Sequence, residues 1–311
     1  LRGHGRPRTP PPGAGTGTKT PDPLLTAGTE AGGPVQDSSD ENGSALVAEP
    51  RTVADFGRAS APRVYDYLLG GKDNFPPDRA LAEELMDPVR GYPGLRELVR
   101  ENRGFVLKAA AWCASMLSIA QFLDLGCGLP AVPSVHATVR DIAGLAAVCY
   151  VDHDPVVLAH VRAALHDAGP GLSAVQADVS DPAALLADEA FLEVTGLDRP
   201  VCVILGGTLS GMDAETAGNA VKGFAEAMAP GSCVVISCVS YCDQALAGRM
   251  AGLFGATGTW RNHSLADVQG FFDAGGLRLV RGQAADVRRW PLLEAACERP
   301  ACIVGGIGIR D

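Results

Sequence analysis

Between residues 120 and 240, short apolar runs recur at the intervals that a parallel α/β sheet needs. The runs at 122–125, 146–151, 174–177, 201–205 and 233–237 are too short for helices and read as buried strands. Helical spacing separates them, most plainly over 214–228, and such alternation implies a parallel sheet. Past a helix around 264–274, the runs 277–280 and 301–309 have no long crossover helix between them, which fits a closing antiparallel hairpin. Ahead of the first strand the pattern is helical, over 79–86 and then, after Gly91-Tyr92-Pro93, over 95–117.

The pattern divides the chain into three stretches. Residues 1–50 are crowded with proline and glycine and poor in large apolar side chains, so they are expected to be a disordered tail that cannot offset its ordering entropy. Residues 51–118 are expected to form an N-terminal helical cap or lid. Residues 119–311 are expected to form a doubly wound domain that binds a nucleoside cofactor.

Composition narrows the function classes. An apolar content of 47% suits a globular core, and the net charge of −10 argues against nucleic acid as a partner, because phosphate neutralisation needs clustered Lys and Arg. No apolar stretch is long enough for a membrane span, and residues 1–50 lack the apolar region of a secretion signal, so a cytoplasmic location is expected. The nine cysteines contain no CxxC pair, and most lie inside apolar runs as small hydrophobes. Cys233, Cys238 and Cys242 are close in sequence, but the first sits mid-strand. No metal site is expected.

The candidate chemistry lies where the first strand ends. Asp124-Leu125-Gly126-Cys127-Gly128 turns on two glycines, which can bring backbone close to a ligand outside the carboxyl ends of the strands. The stretch Gly126 to Ala131 also fits the dinucleotide pattern G-x-G-x-x-G/A, which is weak evidence alone. Asp124 favours the other reading: a carboxylate there repels a pyrophosphate but suits the ammonium and sulfonium of S-adenosylmethionine. Pro130 removes a backbone N–H that a pyrophosphate would use. Two further strands end at Asp152, placed to accept both ribose hydroxyls, and at Asp178, placed to accept from the adenine amine. The competing reading makes Asp152 and Asp178 helix N-caps ahead of Pro155 and Pro182.

Residues 61–75, Ala-Pro-Arg-Val-Tyr-Asp-Tyr-Leu-Leu-Gly-Gly-Lys-Asp-Asn-Phe, together with Glu101-Asn102-Arg103-Gly104-Phe105, the 121–130 loop and 150–160, resemble in order and spacing a bacterial family of S-adenosylmethionine-dependent methyltransferases once catalogued as a domain of unknown function. The resemblance runs from about residue 55 to the C-terminus. It implies the Rossmann-like class I methyltransferase fold, a seven-stranded, mostly parallel sheet with one antiparallel strand and helices on both faces. It also implies cofactor contacts at Asp124, Gly126, Gly128, Asp152 and Asp178. The chain departs from the family at Gly206-Gly207-Thr208-Leu209-Ser210-Gly211-Met212, where a His and an aromatic residue are usual.

Gly70-Gly71-Lys72 is not a phosphate loop, since Asp73 stands where a Ser or Thr would bind magnesium. It reads either as a plain turn between helices or, as the resemblance favours, as the hinge of a lid carrying Lys72 and Asn74 to the cofactor. His153 either packs on the adenine or is a loop histidine. A base is needed only for a protonated nucleophile, and Tyr67 and His136 are the candidates. The expected activity is methyl transfer to a small-molecule acceptor. The altered 206–212 segment keeps a non-methylating use of the cofactor, by cyclisation or elimination, alongside it, and a catalytically silent cofactor-binding protein is the alternative from another class. Oligomeric state is not readable.

Overall fold

The apolar runs assemble into one sheet. The computed structural model describes residues 55–292 and 299–311, so the expected tail over 1–50 lies outside the described residues. Five parallel strands, β1 (Gln121–Leu125), β2 (Ala147–Asp152), β3 (Leu172–Gln176), β4 (Cys202–Gly206) and β5 (Cys233–Tyr241), are joined by helical crossovers. With β6 (Arg278–Leu279), β7 (Ala285–Asp286) and β8 (Ala301–Ile309) the order becomes β3-β2-β1-β4-β5-β8-β6, and the two-residue β7 pairs with β8 off this path. β8 runs antiparallel to β5, β6 and β7, as the hairpin reading expects. Seven strands lie along the path, and the short β7 makes the sheet eight-stranded.

The strands are buried on both faces because each feeds two cores. Phe122, Val148, Cys202, Ile204 and Val235 join one apolar cluster, while their neighbours Leu123, Cys149, Val203, Leu205 and Val234 join the other. That is the period-two alternation of a pleated strand between two helical layers. The first cluster takes in α1 (Ala61–Leu69), α2 (Pro76–Met86), α3 (Leu95–Met116), α4 (Val135–Ala143), α5 (Pro155–Leu165) and α9 (Gln244–Phe254). The second is covered by α6 (Pro182–Ala187), α8 (Ala214–Ala227) and α10 (Leu265–Ala274), with Phe191 of α7 (Glu189–Val194) buried in it.

Helices α1 to α3 precede the sheet, as expected, and belong to the same compact unit as it. Pro62 starts α1 and Gly70 ends it in the left-handed region, φ 91°. The turn that follows is held by a buried polar network. Asp66 accepts from the Asp73 N–H at 2.9 Å and from Asn74 Nδ2 at 2.7 Å, and Asp78 accepts from Arg63 Nε at 2.9 Å and from the Phe75 N–H at 2.8 Å. The Arg63–Asp78 pair is enclosed, with side-chain exposures of 6% and 0%.

Strand order reverses between β1 and β4, since β2 and β3 extend one way and β5 the other. In open α/β sheets ligands bind at such a reversal, outside the carboxyl ends of the strands. The cap helix α3 packs against β4 and β5, and α1 packs against α3, so the N-terminal helices wall the β4/β5 side of that opening.

Candidate functional site

A cavity of about 570 Å³ occupies the reversal point, lined by the ends of β1 to β5, by α1 and α3, and by the turn after α9. Its β1–β3 side is charged. Asp124 is buried, and burial pushes its carboxyl up to about 6, with nearby Asp152 adding to the rise and Arg103 opposing it. Asp152 is also buried and accepts the Gly128 N–H on Oδ2 and the Asp154 N–H on Oδ1, each at 3.0 Å. Asp178 accepts the Ser180 hydroxyl at 2.7 Å and its N–H at 2.8 Å, and these bonds hold its carboxyl below the ordinary range.

The helix-cap reading of Asp152 and Asp178 passes to their neighbours. Asp154 caps α5 by accepting from Val156, and Asp181 caps α6 by accepting from Ala184. Both strand-end carboxylates are therefore free of capping duty and line the cavity.

Gly126 and Gly128 adopt φ of 67° and 64°, which side chains rarely take. A Cβ on Gly126 would strike Thr208, whose hydroxyl donates to the Leu125 carbonyl at 2.7 Å, whereas one on Gly128 would meet nothing within 4 Å. The loop is thus pressed on the β4 segment at one glycine and open at the other. Helix α4 does not start on this loop; its N-terminus lies beyond Pro133 and is capped by Ser134. A pyrophosphate would find three carboxylates and no helix starting on the glycine loop itself. The donor set fits a phosphate-free, cationic nucleoside.

The β4–β5 side is different in kind. Its wall is Val64, Leu68, Leu95, Val99 and Val106 on the cap, facing Val239, Phe254 and Trp260. Phe254 and Trp260 stack at 5.1 Å with 16° between planes. Tyr65 and Asn102 supply polarity: Asn102 Nδ2 donates to the Tyr65 hydroxyl at 3.0 Å, which donates to the Val99 carbonyl at 3.3 Å. Burial pushes the Tyr65 hydroxyl above its usual pKa. Arg103 lines the cavity but donates to the Pro133 carbonyl at 2.7 Å, tying α3 to the loop after β1.

Several expected site residues lie elsewhere. Tyr67 is absent from the lining; its hydroxyl donates to Glu83 at 2.6 Å on the exposed side of α1, and Arg96 stands 5.3 Å from its ring centroid. Tyr65 takes the inward place, and the sequence held the signal: Ala61, Val64, Tyr65 and Leu68 share one helical stripe, from which Tyr67 is turned away. Lys72 and Asn74 do not line the cavity either. Lys72 is exposed, and the Asn74 carboxamide is spent on Asp66 and on Arg79, whose Nε donates to it at 2.7 Å. His136 lines a small adjoining recess, about 30 Å³, where its Nδ1 meets the Tyr150 hydroxyl at 2.8 Å and burial lowers its pKa. His153 is at the cavity rim, its side chain 80% exposed and 3.6 Å from Asp152.

The cysteine grouping also differs from sequence proximity. Strand alternation sends Cys233 and Cys238 into different cores and leaves Cys242 exposed. Among the described residues Cys113, Cys202 and Cys233 do converge, with sulfurs within 4.8 Å of one another, but they are fully buried between α3 and the sheet and away from the cavity.

The family model described as S-adenosyl methyltransferase matches residues 48–310. A candidate methyltransferase from Thermobifida fusca has a crystal structure that matches with a TM-score of 0.73 and 32% identity, over 85% of this chain and 99% of that one. A DUF574-family protein from Streptomyces avermitilis matches with a TM-score of 0.73 and 29% identity, over 83% of this chain and 99% of that one. No curated protein matches. The chain belongs to the S-adenosyl methyltransferase family, its fold is the Rossmann-like class I methyltransferase fold, and its cofactor is S-adenosylmethionine.

Proposed function

We propose, from membership of this family, that the chain methylates a small-molecule acceptor bound in the β4–β5 half of the cavity. The observation that carries the reading is the division of one cavity into a carboxylate-lined half and an apolar half that meet at the strand reversal. S-adenosylmethionine, when bound, supplies a methyl group on a sulfonium. Asp152 keeps lone pairs for the ribose hydroxyls after accepting two backbone N–H groups, and Asp178 serves the adenine. Asp124 balances positive charge, and Gly126 and Gly128 let the backbone close on the ligand. His153 can cover the rim. Lys72 and Asn74 act on the site through the fold of the cap.

Catalysis in this reading is positioning and exclusion of water. Tyr65 and Asn102 are polar groups of the β4–β5 half, together with Thr208 and Ser210 just past the end of β4, and burial moves the Tyr65 hydroxyl still further from ionising at neutral pH. Orientation alone contributes roughly 7–11 kcal/mol in well-aligned cases. Neither Tyr67, on the outer face, nor His136, engaged with Tyr150, is needed as a base. The test is product analysis with the cofactor and a cell extract of small molecules. S-adenosylhomocysteine, formed with a methylated product, supports the proposal; methylthioadenosine would replace it with cyclisation or elimination, and an intact cofactor with a silent binding protein.

A further inference from the structure

The distribution of charge in the cavity narrows the acceptor itself, and this inference rests on the proposed methyl transfer. The lining carboxylates are on β1, β2 and β3 or in the turns that follow them, and His153 is beside Asp152. Arg103 is held by carbonyls of the loop after β1. Apart from Arg103, the neighbour of Asn102 on α3 whose Nε is buried without a partner, the β4–β5 half has no charged side chain among the described lining residues. It offers instead an aliphatic wall on α1 and α3 opposite the stacked Phe254 and Trp260.

Asn102 stands where the two halves meet. It reaches from α3 to Gly207 at the end of β4, whose φ is 88° and where an added Cβ would lie 3.5 Å from Asn102 Nδ2. Asn102 is only 3% exposed, and its Oδ1 has no hydrogen-bond partner. Its Nδ2 spends one proton on Tyr65 and keeps another. A buried carboxamide left with this capacity is costly unless a ligand uses it.

We infer that the acceptor is a largely apolar ring compound that carries no positive charge and whose polar head group docks on Asn102, its ring lying between the α3 wall and the Phe254–Trp260 pair. A fixed cation would enter this half beside the Arg103 guanidinium, with the lining carboxylates on the other side of the cavity, and burying it there is strongly unfavourable. A ring without a polar head would leave the carboxamide unpaired.

The test is a binding series on one ring, measured by calorimetry on the full chain saturated with S-adenosylhomocysteine. 2-Naphthol and 2-naphthylamine should bind, naphthalene about tenfold more weakly for the lost hydrogen bond, and the trimethylammonium analogue weaker by about 100-fold or more for the buried charge. In Asn102→Leu the advantage of naphthol over naphthalene should vanish while S-adenosylhomocysteine still binds. Trp260→Ala, which leaves the carboxamide in place, should weaken all the neutral probes together. Tight binding of the ammonium overturns the inference, as does equal binding of naphthol and naphthalene to the unaltered protein. Failure of every probe while S-adenosylhomocysteine binds also overturns it and leaves the cofactor assignment standing; failure of S-adenosylhomocysteine itself would instead strike the methyl-transfer reading.

Discussion

At the scale of single residues the cavity sets cofactor affinity against stability. Burial raises the Asp124 carboxyl to about 6, so in the folded chain its charged form is disfavoured relative to the unfolded one. A raised carboxyl contributes stability that is present at low pH and is lost as pH climbs through the folded value. Asp124→Asn should therefore leave the melting temperature of the ligand-free protein at pH 7.5 unchanged or higher, while S-adenosylmethionine binding falls. In the unaltered protein the affinity should drop as pH is lowered through about 6, because protonated Asp124 no longer balances the ligand's positive charge. Calorimetry between pH 5 and 8 on both proteins checks this; a pH profile identical in Asp124→Asn would remove Asp124 from cofactor binding. Asp152→Ala should weaken the cofactor by about 1.5–3 kcal/mol, the worth of a hydrogen bond to a charged group. It should also loosen the Gly128 turn, whose N–H it holds. Unchanged affinity would make Asp152 only a loop brace.

Among the elements, the α1–α2 turn departs furthest from the expectation of a hinge. Its amides at Gly70, Gly71, Asp73 and Phe75 are all hydrogen-bonded within the cap, and a Cβ on Gly71 would overlap the Asp66 carboxylate at 1.9 Å. The second glycine is there for close approach. Arg63→Ala, which strands the enclosed Asp78 charge, should cost about 3–5 kcal/mol in denaturant unfolding, and Asn74→Ala about 1.5–3 kcal/mol, with little specific effect on cofactor affinity. Hydrogen exchange gives the complementary reading: the amides of Gly70, Gly71, Asp73 and Phe75 should be protected before any ligand is added. Free exchange that slows only with S-adenosylhomocysteine would restore the lid. The strands were legible in the sequence because burial on both faces writes continuous apolar runs, and the strand-end carboxylates followed from them. Helix α9 was not, since Gln244–Phe254 carries two glycines and buries only Leu246, Ala247 and Met250. With it the sequence concealed Phe254 and Trp260, and so the aromatic side of the cavity. Pairings between distant residues, such as Asn102 with Tyr65 and Asn74 with Asp66, have no local pattern to announce them.

For the whole molecule, the cavity is lined from Ala61 onward and the family match starts at residue 48. No helix among the described residues is long and apolar enough to cross a membrane. A chain beginning at residue 51 should then bind cofactor as the full chain does. Its ligand preference follows from three carboxylates lining one half of the cavity and from a helix α4 that begins away from the glycine loop. S-adenosylmethionine and S-adenosylhomocysteine bring an ammonium and no phosphate, whereas NAD brings a pyrophosphate into that negative field with no helix starting on the glycine loop to receive it. At about 100 times its dissociation constant, a ligand specific for the folded state adds roughly 2.7 kcal/mol. S-adenosylhomocysteine should therefore raise the melting temperature of both the full chain and the 51–311 chain by the same amount, and NAD should raise neither. An equal shift from NAD would mean that the loop's glycines, and not its carboxylates, select the ligand. A shift confined to the full chain would mean that residues before 51 complete the site.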